Sequence, residues 1–136
     1  MNLSELKSEV DKDISLNMDS LDVDSLKTPE IHHKYLKIYT EIQINFKSAE
    51  SKYKICRRDK WEYYSGKGEK PYQEKILKVD IPIIMEGDEE LIKYKDKMEY
   101  LSVILEYLEG VLKSLNNRNW LIKNAIEYQK FLQGVN

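Results

Sequence analysis

Apolar positions along this chain recur at helical rather than strand spacing, and the breaks between them divide it into unequal stretches. Leu3, Leu6 and Val10 fit one face of a short N-terminal helix, with Asn2 or Ser4 available as its cap. Residues 13–27 lose a clear period, are acidic, and read as a linker or partly ordered arm. Leu16, Met18, Leu21, Val23 and Leu26 make that arm too apolar for a solvated tail, so it is expected to dock on something. Thr28-Pro29-Glu30 reads as a helix start: a hydroxyl cap, a proline that loses nothing in the first turn, and an acid at the positive end of the dipole. From there Tyr35, Tyr39, Ile42, Phe46, Ala49, Tyr53 and Cys56 alternate spacings of four and three, the seam of a packed or coiled helix. A helix over residues 29–64 would be about 54 Å long. A compact monomer of this size is only about 37 Å across. Such a helix must protrude, kink or belong to an oligomer.

Ser65-Gly66-Lys67-Gly68 ends this helix and Pro71 prevents its resumption. Residues 75–85 are rich in Ile and Val and predict a short strand or extended loop, with Pro82 confining any strand to an edge. Gly87-Asp88 opens another helix, with Asp88 as cap and Glu89 and Glu90 in the first turn. Leu91, Tyr94, Met98, Leu101, Leu105, Leu108, Leu112 and Leu115 form its stripe, which Ile104 and Val111 widen. Asn116-Asn117 marks a turn or kink, after which Ile122, Ala125, Ile126, Gln129 and Leu132 carry a last helix to Gly134. The predicted class is all-α: a long helix plus a C-terminal helix pair, with a short extended or loop insertion, in an oligomeric helical assembly. The expected regions are an acidic N-terminal helix and arm (1–27), a long helix and loop with a basic-aromatic segment (28–72), and a connecting segment with C-terminal helices (73–136).

The 136 residues, 34% charged and 41% hydrophobic, suit one soluble domain, and no apolar run approaches membrane-span length. The first dozen residues carry Glu5, Glu9 and Asp11 with no apolar stretch of signal-peptide length, and the single cysteine excludes an internal disulfide framework, so a reducing cytoplasm is the expected compartment. The net charge of −2 hides a segregation. Residues 1–27 carry three lysines against seven acids, residues 28–78 twelve cations against seven acids, and residues 79–136 seven cations against ten acids. A basic middle in an acidic chain binds an anion locally without making the whole molecule a polycation.

Within that middle, Lys52–Tyr72 interleaves cations with Tyr53, Trp61, Tyr63, Tyr64 and Tyr72. Cations neutralise phosphates and aromatic faces stack on unpaired bases, the combination that sequence-tolerant single-strand binding requires. A helix with an aromatic seam and a charged outer face has a similar composition. Catalytic chemistry finds little support. Cys56 sits on the apolar seam, His32 and His33 have no ligand partners at metal spacing, and Gly66-Lys67-Gly68 lacks the Ser or Thr of a nucleotide loop. Those glycines could expose N–H groups to a phosphate, or simply stop the helix. Glu86, Asp88, Glu89 and Glu90 read more simply as a capped helix start than as a cation site. Arg118 and Lys123 read as an exposed helical face, with a second phosphate contact as the lesser alternative.

The run Arg58-Asp59-Lys60-Trp61-Glu62-Tyr63-Tyr64-Ser65-Gly66-Lys67-Gly68 resembles the basic-acidic-aromatic motif of the UvsY recombination mediators of T-even-type bacteriophages. There, two cations two residues apart precede an acid, Tyr-Tyr and Ser-Gly-cation-Gly. The resemblance runs collinearly through Leu3, Leu6, Glu9, Lys12 and Asp13, Lys34 and Leu36, and a C-terminal set including Tyr100, Ile104, Leu105, Gly110, Leu112, Arg118, Ile122, Lys123 and Phe131. This chain departs from the motif at Asp59, between the cations, and at Trp61, where the family carries an aliphatic; Glu69–Glu90 barely matches.

The resemblance implies a recombination mediator acting in the cytoplasm of an infected bacterial host. It would be a ring-like homo-oligomer of six or seven subunits that binds single-stranded DNA. It would help a RecA-like recombinase to displace the single-strand-binding protein, with no catalysis, cofactor or metal. Lys54, Arg57, Arg58, Lys60, Trp61, Tyr64 and Lys67 are the expected DNA contacts; Leu101, Ile104, Leu105, Leu108, Val111 and Leu112 are the expected oligomerisation face. The alternative is a helical adaptor that binds only proteins.

Overall fold

A computed structural model of the chain describes residues 2–70 and 72–134. Four helices follow in order: α1 (Leu3–Ile14), α2 (Leu21–Tyr64), α3 (Ile81–Glu86) and α4 (Glu89–Leu132). There is no strand among the described residues, so the all-α class is correct. The contacts fall into two units, Met1–Glu41 with Ile104–Asn136, and Ile42–Val103; α2 and α4 each contribute to both.

In the first unit α1 opens with a reciprocal cap. The Asn2 side chain accepts from the Glu5 N–H at 2.8 Å, while Glu5 Oε2 accepts from the Asn2 N–H at 3.2 Å. Leu6 and Val10, the expected apolar face, are buried. The predicted arm is corrected: residues 13 and 14 complete α1, only 15–20 connect, and 21–27 are already α2. The Asn17 N–H donates to the Asp24 carboxylate at 2.9 Å, tying the connection to the first turn of α2.

Thr28 is therefore not a cap, and Pro29 lies inside the helix. Proline removes the donor to residue 25 and ordinarily costs about 3 kcal/mol in a helix interior. Packing offsets that cost. Leu21, Thr28 and Tyr35, spaced by seven, are all buried, and the Thr28 hydroxyl donates to the Asp24 carbonyl at 3.1 Å. The same seven-residue spacing continues through Ile42, Ala49 and Cys56, each buried or half-buried.

α4 is one helix of 44 residues, so Asn116-Asn117 is not a break. Its buried positions in the first unit are Ile104, Leu108, Val111, Leu115, Arg118 and Ile122. Arg118, expected on an exposed face, is 4% exposed and closes the C-terminus of α1. Its guanidinium donates to the carbonyls of Asp13 at 2.9 Å and Ser15 at 3.4 Å, where the helix dipole is negative. Beside it, Asp13 accepts from Lys34 at 2.7 Å and from the Tyr35 hydroxyl at 2.6 Å. Burial pushes the Asp13 carboxyl up, but those bonds and the charges of Lys34 and Arg118 outweigh it and hold it below the ordinary range.

The second unit is organised around Cys56, Ile81, Met85 and Leu91, with Tyr53, Tyr64, Ile76 and Tyr94 packed on them. Burial pushes the Cys56 thiol up, consistent with an inert packing role. Residues 81–86 form a helix rather than the expected strand or extended loop. Pro82 sits in its first turn, where the missing N–H is harmless, and Ile81 and Met85, four apart, point to the core. At the end of α2, Gly66 takes φ +80°, a left-handed stop that favours glycine. Pro71, expected to block further helix, lies outside the described residues.

Candidate nucleic-acid interface

The C-terminal part of α2 presents two faces with different fates. Lys54, Arg57, Arg58 and Trp61 follow helical spacing and line one wall of a groove of about 740 Å³ with Tyr53. Its floor and far wall come from α3 and the start of α4: Pro82, Met85, Leu91 and Ile92, with Lys95 beyond. Trp61 is 41% exposed, and the Lys67 ammonium lies 4.7 Å from its ring centroid, a cation–π pair. The Arg58 guanidinium donates to Asp59 at 3.0 and 3.2 Å, and Lys54 pairs with Glu50 at 3.7 Å. Both pairs are solvent-exposed, so they are weak and open to exchange for a phosphate. Glu86, Asp96 and Glu99 also line the groove and temper its charge.

Lys60 and Tyr64 are turned the other way. The Lys60 ammonium lies 3.3 Å from Asp88 and 3.0 Å from Glu90, with its side chain only 22% exposed. Desolvation pulls this ammonium down, but hydrogen bonds to Glu90 and Asp88 and their charges outweigh it and hold it above its usual value. The Tyr64 hydroxyl donates to Asp88 at 2.6 Å; that bond and burial push it up to about 12. Tyr64 also packs edge-on against Tyr63, with centroids 5.0 Å apart, and against Tyr72 at 5.2 Å. Asp88 additionally accepts the Leu91 N–H at 3.0 Å, the cap expected of it. One carboxylate thus starts α4 and holds both Lys60 and Tyr64.

Gly66, Lys67 and Gly68 do not offer free N–H groups. Gly66 donates to the Tyr63 carbonyl at 3.2 Å, and Lys67 and Gly68 both donate to that of Glu62, at 2.9 and 3.2 Å. Helix termination consumes all three donors. Of the expected contacts, the groove brings together Lys54, Arg57, Arg58 and Trp61, keeps Lys67 beside Trp61, and leaves Lys60 and Tyr64 outside. It adds Lys95, which periodicity along α4 had no means of selecting because it lies on an ordinary polar face. Among the described residues no His, Cys, Asp or Glu group is placed to hold a metal ion. No helix among them is long and apolar enough to cross a membrane.

The profile of a family described as "Recombination, repair and ssDNA binding protein UvsY" matches residues 9–135. The chain belongs to the UvsY family. It is 21% identical over 136 residues to the recombination protein uvsY of Enterobacteria phage T4, a match covering 98% of this chain and 99% of that protein. The crystal structure of the bacteriophage T4 recombination mediator protein UvsY superposes with a TM-score of 0.91 at 21% identity, over 98% of both chains. A further crystal form gives 0.90 at 20% identity, covering 96% of this chain and 99% of the other. Recombination, repair and single-stranded DNA binding are therefore the family's functional class, and the helical fold is shared with the T4 protein.

The expected oligomerisation face divides. Ile104, Leu108 and Val111 are buried within the chain, whereas Leu101, Leu105 and Leu112 are half-buried. The apolar side chains that α4 leaves most open lie further along: Trp120 at 62%, Tyr128 at 59%, Phe131 at 76% and Leu132 at 66% exposed.

Proposed function

We propose that this protein is a recombination mediator that binds single-stranded DNA in the groove of Lys54, Arg57, Arg58, Trp61 and Lys95. One observation carries the reading: four cations and an open indole converge on an apolar floor in a chain of the UvsY family. Phosphates would meet Arg57, Arg58, Lys54 and Lys95, and a base would stack on Trp61. Lys67, already over the indole, would supply a flanking charge. Lys60 and Tyr64 would act indirectly, by fixing the end of α2 on which these groups are mounted.

Single protomers of this kind bind modestly. Repetition around a homo-oligomer, sealed by the open apolar residues of α4 beyond Trp120, would supply avidity without stronger individual contacts. A strand held across several protomers would favour a RecA-like recombinase over the single-strand-binding protein, provided the mediator binds the two strand states unequally.

The test is a salt titration of oligothymidylate binding by the Arg57→Ala/Arg58→Ala variant. The slope of log K against log salt should shrink by about 0.7 per lost phosphate contact. Unaltered affinity and slope would sink the nucleic-acid reading and leave a protein-only helical adaptor as the better account.

A further inference from the structure

The first unit contains a second cationic groove, of about 780 Å³, at the junction of α1, α2 and α4. Lys12 enters from α1, Lys27, Lys34 and Lys37 from α2, and Arg118 from α4, against the carboxylates of Asp13, Glu30 and Glu41. The five cations exceed the three carboxylates by two. Lys34 and Asp13 neutralise each other at 2.7 Å, and Glu9 lies 3.2 Å from the same ammonium. Arg118 donates to backbone carbonyls rather than to a carboxylate, and its Nε, buried, meets no acceptor at all. Lys12, Lys27 and Lys37 are exposed and form no ion pair among the described residues. Three exposed ammonium groups and one buried guanidinium are thus left against Glu30 and Glu41.

We infer that this groove is a second phosphate site, taking the sugar-phosphate backbone of a single strand. The chemistry of its lining selects that ligand. Among the described residues no Tyr, Trp or Phe lines it; the His33 imidazole is its one small ring, and Ile31 and Ile38 give only a small apolar wall. Flexible lysines make point-charge contacts with phosphate oxygens without demanding a base sequence. The buried Arg118 keeps a positive charge at the back of the groove that solvent cannot screen well. The first groove would then read the strand by stacking and charge, and this one chiefly by charge. The inference rests on the reading that the chain binds single strands.

The test compares the full chain with Lys27→Ala/Lys37→Ala, Arg57→Ala/Arg58→Ala and the fourfold variant, by fluorescence anisotropy of labelled oligothymidylate at several salt concentrations. Both lysines are exposed and unpaired, so thermal unfolding of the lysine variant should match the parent. Its salt slope should fall by about 1.4 per protomer for two lost contacts, and Lys27→Arg/Lys37→Arg should restore it. Unchanged affinity and slope in the lysine variant, with the arginine variant impaired, overturns the second site and leaves the first intact. No change in either variant overturns both. If the lysine variant loses binding to polyglutamate but not to oligothymidylate, the groove is a protein-anion site and the phosphate assignment is wrong.

Discussion

Lys60 separates two explanations that the motif alone cannot. It sits two residues from Arg58, as a paired phosphate contact would, yet its ammonium is held by Asp88 and Glu90. Consider Lys60→Ala. Asp88, whose side chain is only 7% exposed, keeps the Tyr64 hydroxyl and the Leu91 N–H but loses its one cation. A hydrogen bond to a charged group is worth about 1.5–3 kcal/mol. The partial exposure of Lys60 and the two surviving donors place the loss near the middle, about 2 kcal/mol. For a chain of this length each kcal/mol moves the midpoint by about 3–5 °C, so Tm should fall by roughly 6–10 °C. Thermal unfolding followed by circular dichroism, at equal protomer concentration, measures it. The same variant should retain the parent salt slope for oligothymidylate, whereas Arg58→Ala should lose about 0.7. If Lys60→Ala melts with the parent and instead loses salt slope as Arg58→Ala does, Lys60 contacts the strand and the structural assignment is refuted.

Trp61→Ala should weaken strand binding by roughly 1–3 kcal/mol per engaged base while leaving the salt slope in place. In a Trp120→Phe background the remaining indole reports directly: its emission should be quenched by a polypyrimidine strand and recover with salt, and no quenching would remove Trp61 from the site. The Tyr64 hydroxyl titrates at about 12 rather than 10.0 in the folded chain. A raised pKa means that its stabilisation is complete below pH 10 and lost as pH climbs through about 12. Urea unfolding of Tyr64→Phe should show a shallower decline across that window, and parallel declines would contradict it. Phe131→Ser/Leu132→Ser should give smaller assemblies by native mass spectrometry, and full-size assemblies would place the subunit contact elsewhere.

The fold class, the cap of α1, the seam of α2 and the Asp88 start of α4 were all legible, because each rests on local chemistry or on a period. The true start of α2 was hidden by a stronger local signal. Thr28-Pro29-Glu30 has every mark of a first turn, yet tertiary burial of Leu21 and Thr28 carries the helix two turns further back. Counting sevens backwards from Tyr35 would have reached both. Residues 81–86 misled through their β-branched content, which says that a segment is half-buried more than that it is extended. The site was half legible: helical spacing puts Lys54, Arg57, Arg58 and Trp61 on one face. It could not say that the neighbouring Lys60 already had two carboxylates waiting at the start of α4, Asp88 before it and Glu90 within it, nor that Lys95 would complete the groove.

Arg118 has a consequence for how the chain finds its alignment. Helices whose apolar positions repeat every three and four residues can slide past one another by a heptad and still bury leucines. In the first unit that freedom is removed, because the guanidinium occupies a seam position and only one offset sets it against the open carbonyls of Asp13 and Ser15. In any slipped arrangement a full charge would be sealed among aliphatic side chains, and the end of α1 would be left unsatisfied. Replacing Arg118 with methionine should therefore lower the melting temperature, because the Asp13 and Ser15 carbonyls lose their donor, and should give an amide spectrum with more than one set of resonances. The arginine works as an index pin: beyond closing the end of α1, it determines which joint is made.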